Sequence, residues 1–145
     1  MYNLKMRTYT IKCAEPPPGG AAITHAQAGE HALRALLANE DADREHFAVL
    51  YLNTPGKIIA GRVMFSGGTT ETPVFVREVC RAALLLGSTR LVVAHTHPGG
   101  SPEPSPEDFA VTRNLAAALK LFQIHLLDHL VIAGPLAARS AMVLS

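Results

Sequence analysis

The 145-residue chain is 48% hydrophobic and sets 13 Lys and Arg against 12 Asp and Glu, a formal net charge of +1. That length and apolar content suit one domain with its own core, and the balanced charge shows no strongly basic footprint of the kind nonspecific nucleic-acid binding usually needs, which leaves a nucleic-acid partner unsupported. The opening residues Met1 to Arg7 lack the apolar core of a signal peptide and no apolar run is long enough to span a membrane, so a cytoplasmic protein is expected.

In chain order, residues 8–13 (Thr-Tyr-Thr-Ile-Lys-Cys) alternate as a short strand does, and Pro16-Pro17-Pro18-Gly19-Gly20 breaks it. Residues 1–23 therefore read as an N-terminal strand and a Pro-rich linker. Thr24 to Asn39 has helical spacing, with Ala28, His31, Leu33, Leu36 and Leu37 recurring along it; His25 and His31 read as helix-surface residues. Phe47 to Leu52 is an apolar run short enough to be a strand covered on both faces, and Glu45 stands just before it. Asn53 to Lys57 reads as a turn into a second strand, Ile58 to Phe65, giving an antiparallel hairpin. After a polar segment at 67–73, residues 74–86 carry helical spacing that stops at Gly87. Glu78 in that helix is a candidate base, but Arg77 and Arg81 beside it favour a solvated ion-pair face.

The centre of the chain is Leu91-Val92-Val93-Ala94-His95-Thr96-His97, followed by Pro98-Gly99-Gly100. An apolar, β-branched run ended by Pro and Gly reads as a buried strand, and residues two apart on a strand share a face. His95 and His97 can thus converge on one ion off the strand end. Ser105-Pro106-Glu107-Asp108 then reads as a helix start, with Ser at N-cap and Pro at N1, placing a carboxylate in the first turn. Two His and one Asp would supply three protein ligands, the number a catalytic zinc site uses while keeping its fourth position for water. The same four residues are also a plain capping signature that needs no metal, and His95 alone fits a hydrogen-bonded core histidine. Ser105 serves both readings, since its oxygen can accept the cap hydrogen bond while its O–H points at a substrate oxyanion.

The helix opened at Ser105 continues through Phe109, Thr112, Leu115, Ala116, Leu119 and Phe122, a period suited to packing on a sheet. Leu126 to Gly134 reads as a further strand on which Asp128 and His129 face opposite sides, so only one of them can hold a ligand imidazole; ordinary hydrogen-bonded burial is the alternative. The tail from Pro135 to Ser145 carries no signal. Cys13 and Cys80 form no paired motif and read as reduced thiols, with competition by one of them for the metal as the alternative. Glu45 reads locally as a solvated residue at the mouth of a strand. Its functional reading comes with the metal, because zinc-assisted hydrolysis needs a group that takes a proton from water and returns it to the leaving amine. The sequence has no His-Glu-x-x-His, no phosphate-cradling loop ending in Lys-Ser/Thr and no Cys-x-x-Cys, and the last absence argues against a zinc nucleobase deaminase.

The spacing His95-x-His97, seven residues, Ser105-x-x-Asp108 resembles the JAMM motif of the MPN/JAB-domain metalloproteases. Arg77-Glu78-Val79, His97-Pro98-x-Gly100, Pro104-Ser105-x-x-Asp108, Thr112 and Leu127-Asp128-His129 are similar to the RadC-like branch, over roughly residues 40–134. The resemblance implies an α/β fold with a mixed, curved sheet flanked by helices, the JAB/MPN (cytidine-deaminase-like) architecture, across one domain. It also implies Zn2+ held by His95, His97 and Asp108, Ser105 as stabiliser of the tetrahedral intermediate, and Glu45 as the base. The activity implied is hydrolysis of an amide or isopeptide bond in a protein or peptide, with the tail of a ubiquitin-like protein as a candidate substrate lying along the hairpin edge at 57–65. Alternatives from other classes are a catalytically silent metal-binding interaction module and a DNA-repair-associated accessory protein. Thr96, Gly99 and Ser101 stand where RadC-like proteins commonly carry Asn, Ser and Asp, and Phe75-Val76 replaces His-Pro before Arg77.

Overall fold

A computed structural model describes residues 22–23, 26–66, 72–135 and 137–142. The strand expected at 8–13, the Pro-rich segment, Cys13 and His25 lie outside them. The elements in order are α1 (Ala26–Leu37), β1 (His46–Leu52), β2 (Ile58–Ser66), α2 (Thr72–Leu86), β3 (Arg90–Thr96), α3 (Pro106–Leu121), β4 (His125–Ala133) and β5 (Ala137–Ser140). The strands form one open, mixed sheet in the order β2-β1-β3-β4-β5, in which β3 and β4 run parallel and the other pairs antiparallel.

Period-two alternation explains how this sheet is covered on both sides. Along β1, buried at every residue, Phe47, Val49 and Tyr51 join one cluster with Phe75 and Val79 of α2 and Leu115 and Leu119 of α3. Ala48, Leu50 and Leu52 point the other way and meet Leu33 of α1. Leu33, Leu115 and Leu119 are completely buried, so each truncation to Ala should cost ~2–5 kcal/mol of stability. His31 is exposed on α1, as expected of a helix-surface residue. No helix among the described residues is long and apolar enough to cross a membrane.

The turns are built as their residues dictate. Asn53 accepts from Gly56 N–H through its carbonyl and from Lys57 N–H through its side chain, and Gly56 takes the left-handed φ of 93° that the reversal requires. Gly87 ends α2 at φ 66°.

Two expectations change. The tail is not featureless: β5 pairs Ala137–Ser140 with Leu130–Ala133. Its Ala-Ala-Arg-Ser sequence has no strand-like alternation, so the pairing partner supplies what local propensity does not. Phe122, placed on the buried stripe of the third helix, is 50% exposed, because α3 stops at Leu121 and Phe122 is its C-cap.

The topology decides what meets at the sheet's end. Parallel β3 and β4 need a crossover, and α3 supplies it, so the helix begins where β3 finishes. Because β1 runs antiparallel to β3, with Phe47 opposite His95, the residues entering β1 lie beside the residues leaving β3. The ends of such strands, where connections diverge, are where ligand crevices form in open α/β sheets.

Candidate metal centre

β3 delivers His95 on the face that carries α2 and α3, where only 4% of its surface is exposed; His97 follows just past the strand end, half-buried. Across from them α3 opens with the cap that its sequence spells. Ser105 Oγ accepts from Asp108 N–H at 3.1 Å, and Asp108 Oδ2 accepts from Ser105 N–H at 2.7 Å. This capping box fixes the carboxylate in place. His95 Nε2 lies 2.9 Å from His97 Nε2 and 2.9 Å from Asp108 Oδ1, and His97 Nε2 lies 3.2 Å from Asp108 Oδ2. The capping reading and the convergent reading of Asp108 hold together: one carboxylate oxygen closes the cap while the other faces His95.

These atoms are spaced as a cation would space them. Donor atoms ~2.0–2.1 Å from a tetrahedral zinc are ~3.3 Å from one another. The donor chemistry agrees. His97 Nδ1 is 2.9 Å from the carbonyl of Ser101, which has no proton to give, so Nδ1–H donates and Nε2 of the neutral ring is a lone pair. That lone pair faces an Asp108 carboxylate oxygen, a second acceptor. Contact between acceptor atoms at such distances calls for a positive charge between them, supplied by a proton or a metal.

Glu45 is exposed on the approach to β1, and a carboxylate oxygen of Glu45 lies with a ring nitrogen of each of His95 and His97 in a group spanning no more than 4.8 Å. Asp108 also approaches both imidazoles, at 2.9 and 3.2 Å, so two carboxylates flank the histidine pair. Thr96 holds the peptide units on either side of Glu45: its hydroxyl accepts from His46 N–H at 2.9 Å and donates to the Arg44 carbonyl at 3.4 Å. His46 is buried and its ring bonds back to the Asp41 carbonyl, tying the incoming loop to the sheet.

Of the two residues on β4, His129 turns inward and Asp128 away. His129 is 1% exposed, with Nε2 2.8 Å from His95 Nδ1 and Nδ1 2.7 Å from Thr112 Oγ1. Asp128 instead accepts from Ser140 Oγ and from the His129 backbone N–H. Burial, reinforced by the neighbouring His95, lowers the His129 pKa to about 3, so the ring is neutral. Burial likewise lowers the pKa of His95, against the opposing pull of Asp108. For Asp108, burial works upward but is outweighed by the Ser105 backbone N–H and by His95, and the carboxyl ends below its ordinary range.

The remaining candidates fall elsewhere. Glu78 accepts from Arg81 Nη2 at 2.7 Å, the ion-pair face expected of it. Cys80 is buried in the apolar cluster, where burial raises its pKa, a setting for a structural thiol rather than a ligand. A cleft of about 480 Å³ opens beside His97, its walls including Leu37, Asp41, His46, Thr96 and Ile132.

Comparison with known proteins fixes the family. A family model described as RadC-like JAB domain matches residues 23–141. The chain belongs to that family. Relatives of this RadC-like chain include a UPF0758 protein of Thiobacillus denitrificans, 39% identical over 83% of this chain and 53% of that protein. The UPF0758 protein YfjY of Escherichia coli K12 is 37% identical over 79% of this chain and 71% of its own length. The UPF0758 protein sll0766 of Synechocystis is 43% identical over 61% of this chain and 37% of its own length. The chain spans about half the length of several of the relatives it matches.

Three contributors to the RadC-like site were not assigned a part in it from sequence. Thr112 falls on the sheet-facing stripe of α3 with Leu115 and Leu119, and a hydroxyl at a buried position must find a partner, which was the available signal; Thr96, between the two histidines and half-buried, offered none. The Ser101 carbonyl is a backbone group and leaves no side-chain trace.

Proposed function

We propose that this RadC-like domain is a zinc-dependent hydrolase of amide or isopeptide bonds, with His95, His97 and Asp108 as the metal ligands. The observation that carries the reading is the convergence of three side chains, two imidazole nitrogens and the two oxygens of one carboxylate in contacts of 3.2 Å or less, beside the carboxylate of Glu45. Zinc held there would supply Lewis-acid polarisation of the scissile carbonyl and acidify a water toward a pKa of about 7.

The chain's own groups do the rest. Glu45 takes a proton from the attacking water and later gives it to the leaving amine, and its exposure lets both partners reach it. Ser105 uses its oxygen as an acceptor in the cap, which leaves the O–H to donate to the oxyanion as charge develops. Thr96 restrains the backbone on both sides of Glu45, so the carboxylate needs little ordering when substrate arrives.

For substrate we propose an extended protein or peptide tail, such as that of a ubiquitin-like protein, added as a strand to the outer edge of β2. Among the described residues, Ala22 and Ile23 meet the start of that edge, through a bridge to Lys57 and a hydrogen bond from Ile23 N–H to the Gly56 carbonyl, and the Phe65–Ser66 end of β2 pairs with His46–Phe47, at the same end of the sheet as Glu45. The cleft beside His97 offers room for a side chain flanking the scissile bond. The test is metal content and turnover of an isopeptide-linked reporter by the wild-type chain and by Glu45→Gln. Stoichiometric zinc in both proteins with turnover only in the wild type supports the reading. Zinc with no turnover in either would make the domain a metal-binding interaction module, and a Glu45→Gln protein with full turnover would remove Glu45 as the base.

A further inference from the structure

We infer that Thr112, acting through His129, places the single proton of His95 on Nδ1 and so presents Nε2 to the centre as a bare lone pair. The inference rests on the metal-centre reading for its purpose, but the proton placement follows from hydrogen-bond partners and from the burial that keeps the His129 ring neutral.

The chain begins at a group that cannot donate. Thr112 Oγ1 is 2.8 Å from the backbone carbonyl of Asp108, and a hydroxyl has one hydrogen, so that hydrogen goes to the carbonyl. The 2.7 Å contact between Thr112 Oγ1 and His129 Nδ1 must then run from Nδ1–H to the oxygen. A neutral imidazole has one N–H, which leaves His129 Nε2 an acceptor. Its 2.8 Å contact with His95 Nδ1 is therefore donated by His95. Reversing the direction would turn the Thr112 hydrogen to His129 Nδ1 and leave the Thr112 and Asp108 oxygens, both acceptors, in contact at 2.8 Å with no hydrogen between them. Water has little access to break the chain, since Thr112, His129 and His95 are all buried and the Phe47 ring lies parallel to His95, centroids 6.3 Å apart, and 5.7 Å from His129.

The alternative tautomer explains why the anchor matters. With its proton on Nε2, His95 would donate to Asp108 Oδ1 at 2.9 Å, and that favourable bond would close the centre to a cation. Thr112 removes this competitor by committing the relay in the opposite sense. Thr112 and His129 are thus positioning residues, acting on the centre through His95. Groups that hold metal-binding imidazoles in this way are worth ~10–100-fold in metal affinity.

The experiment is imidazole 15N–1H NMR on the metal-free chain at about pH 8, above the ordinary imidazole range, followed by titration with Zn2+ alone. In the wild type His95 and His129 should both show the Nδ1–H tautomer. Thr112→Val, which keeps the shape and loses the hydroxyl, should shift His95 to Nε2–H and weaken Zn2+ binding ~10–100-fold; Thr112→Ser should behave as the wild type. A wild-type His95 protonated on Nε2 would overturn the inference with no variant needed. So would a folded Thr112→Val protein that keeps the Nδ1–H tautomer and full Zn2+ affinity. If the wild type shows the expected tautomers but binds no Zn2+, the metal-centre reading fails while the proton placement stands.

Discussion

The two halves of the site are held by different means. The β3–α3–β4 crossover sets His95, His97 and Asp108 with a capping box, a backbone carbonyl and a buried hydroxyl–imidazole chain, all within one βαβ unit. Glu45 comes from outside that unit, on an exposed approach to β1, and is steadied by the backbone contacts of Thr96 and His46. On the proposed reading, the ligand half holds acceptors against mutual repulsion and is built from buried and partly buried groups with their hydrogen bonds made, whereas the base half exchanges protons with substrate and water and stays open.

The difference can be broken from the ligand side first, where the effect is largest. His97→Ala removes a donor atom, and Asp108→Asn keeps a cap acceptor while discarding the charge. Each should lower zinc affinity by more than the ~100-fold that loss of a supporting group costs, with turnover lost in parallel. Calorimetric titration with Zn2+ checks this, and near-normal affinity in either variant would sink the ligand assignment. On the base side, Glu45→Gln should keep stoichiometric metal and lose ~10²–10⁴-fold in turnover, the span of general acid–base catalysis. The two halves are separable only if metal content and turnover fall together in the first case and apart in the second.

How much of this was legible beforehand follows the same division. The ligand half is local: strand-end His-x-His and Ser-x-x-Asp lie within fourteen residues, His95 to Asp108, and the strand period and helix cap that place them are encoded by those residues themselves. Glu45 is fifty positions before His95, and only antiparallel pairing of β1 with β3 brings the two together. Its local surroundings argue for a solvated residue, so its assignment came from family resemblance. His129 was ambiguous with Asp128 because alternation fixes that they differ in face but not which face is inward. β5 was invisible because its stability comes from the β4 edge. The β-strand core, by contrast, was plain from apolar runs such as Phe47 to Leu52.

The buried relay sharpens the comparison through pH. His129 has a folded pKa of about 3 against an ordinary 6.5, so between those values the unfolded chain binds a proton that the native state excludes. Stability therefore rises with pH across that window and is lost as pH falls from 6.5 toward 3, by up to ~1.4 kcal/mol per unit. Asp108, held below its ordinary range, acts in the same direction, its contribution being lost as pH falls through the lowered value. Denaturant unfolding of the metal-free chain at several pH values measures the slope, and a flat profile from 6.5 to 5 would contradict a neutral, buried His129.

The smallest effect tests the base half's tether. Thr96→Val removes one hydroxyl that serves both the His46 N–H and the Arg44 carbonyl. The stability loss should be ~1 kcal/mol, the net worth of an ordinary hydrogen bond, because the Arg44 side of the clamp is long and exposed and water can replace it. Metal affinity should not change, since no ligand atom depends on this hydroxyl. Turnover should fall through kcat rather than KM, because what is lost is the orientation of Glu45 and not a contact to substrate. Thr96→Ser should restore it. If instead Thr96→Val weakens zinc binding, the hydroxyl acts on its histidine neighbours and the two halves are mechanically one.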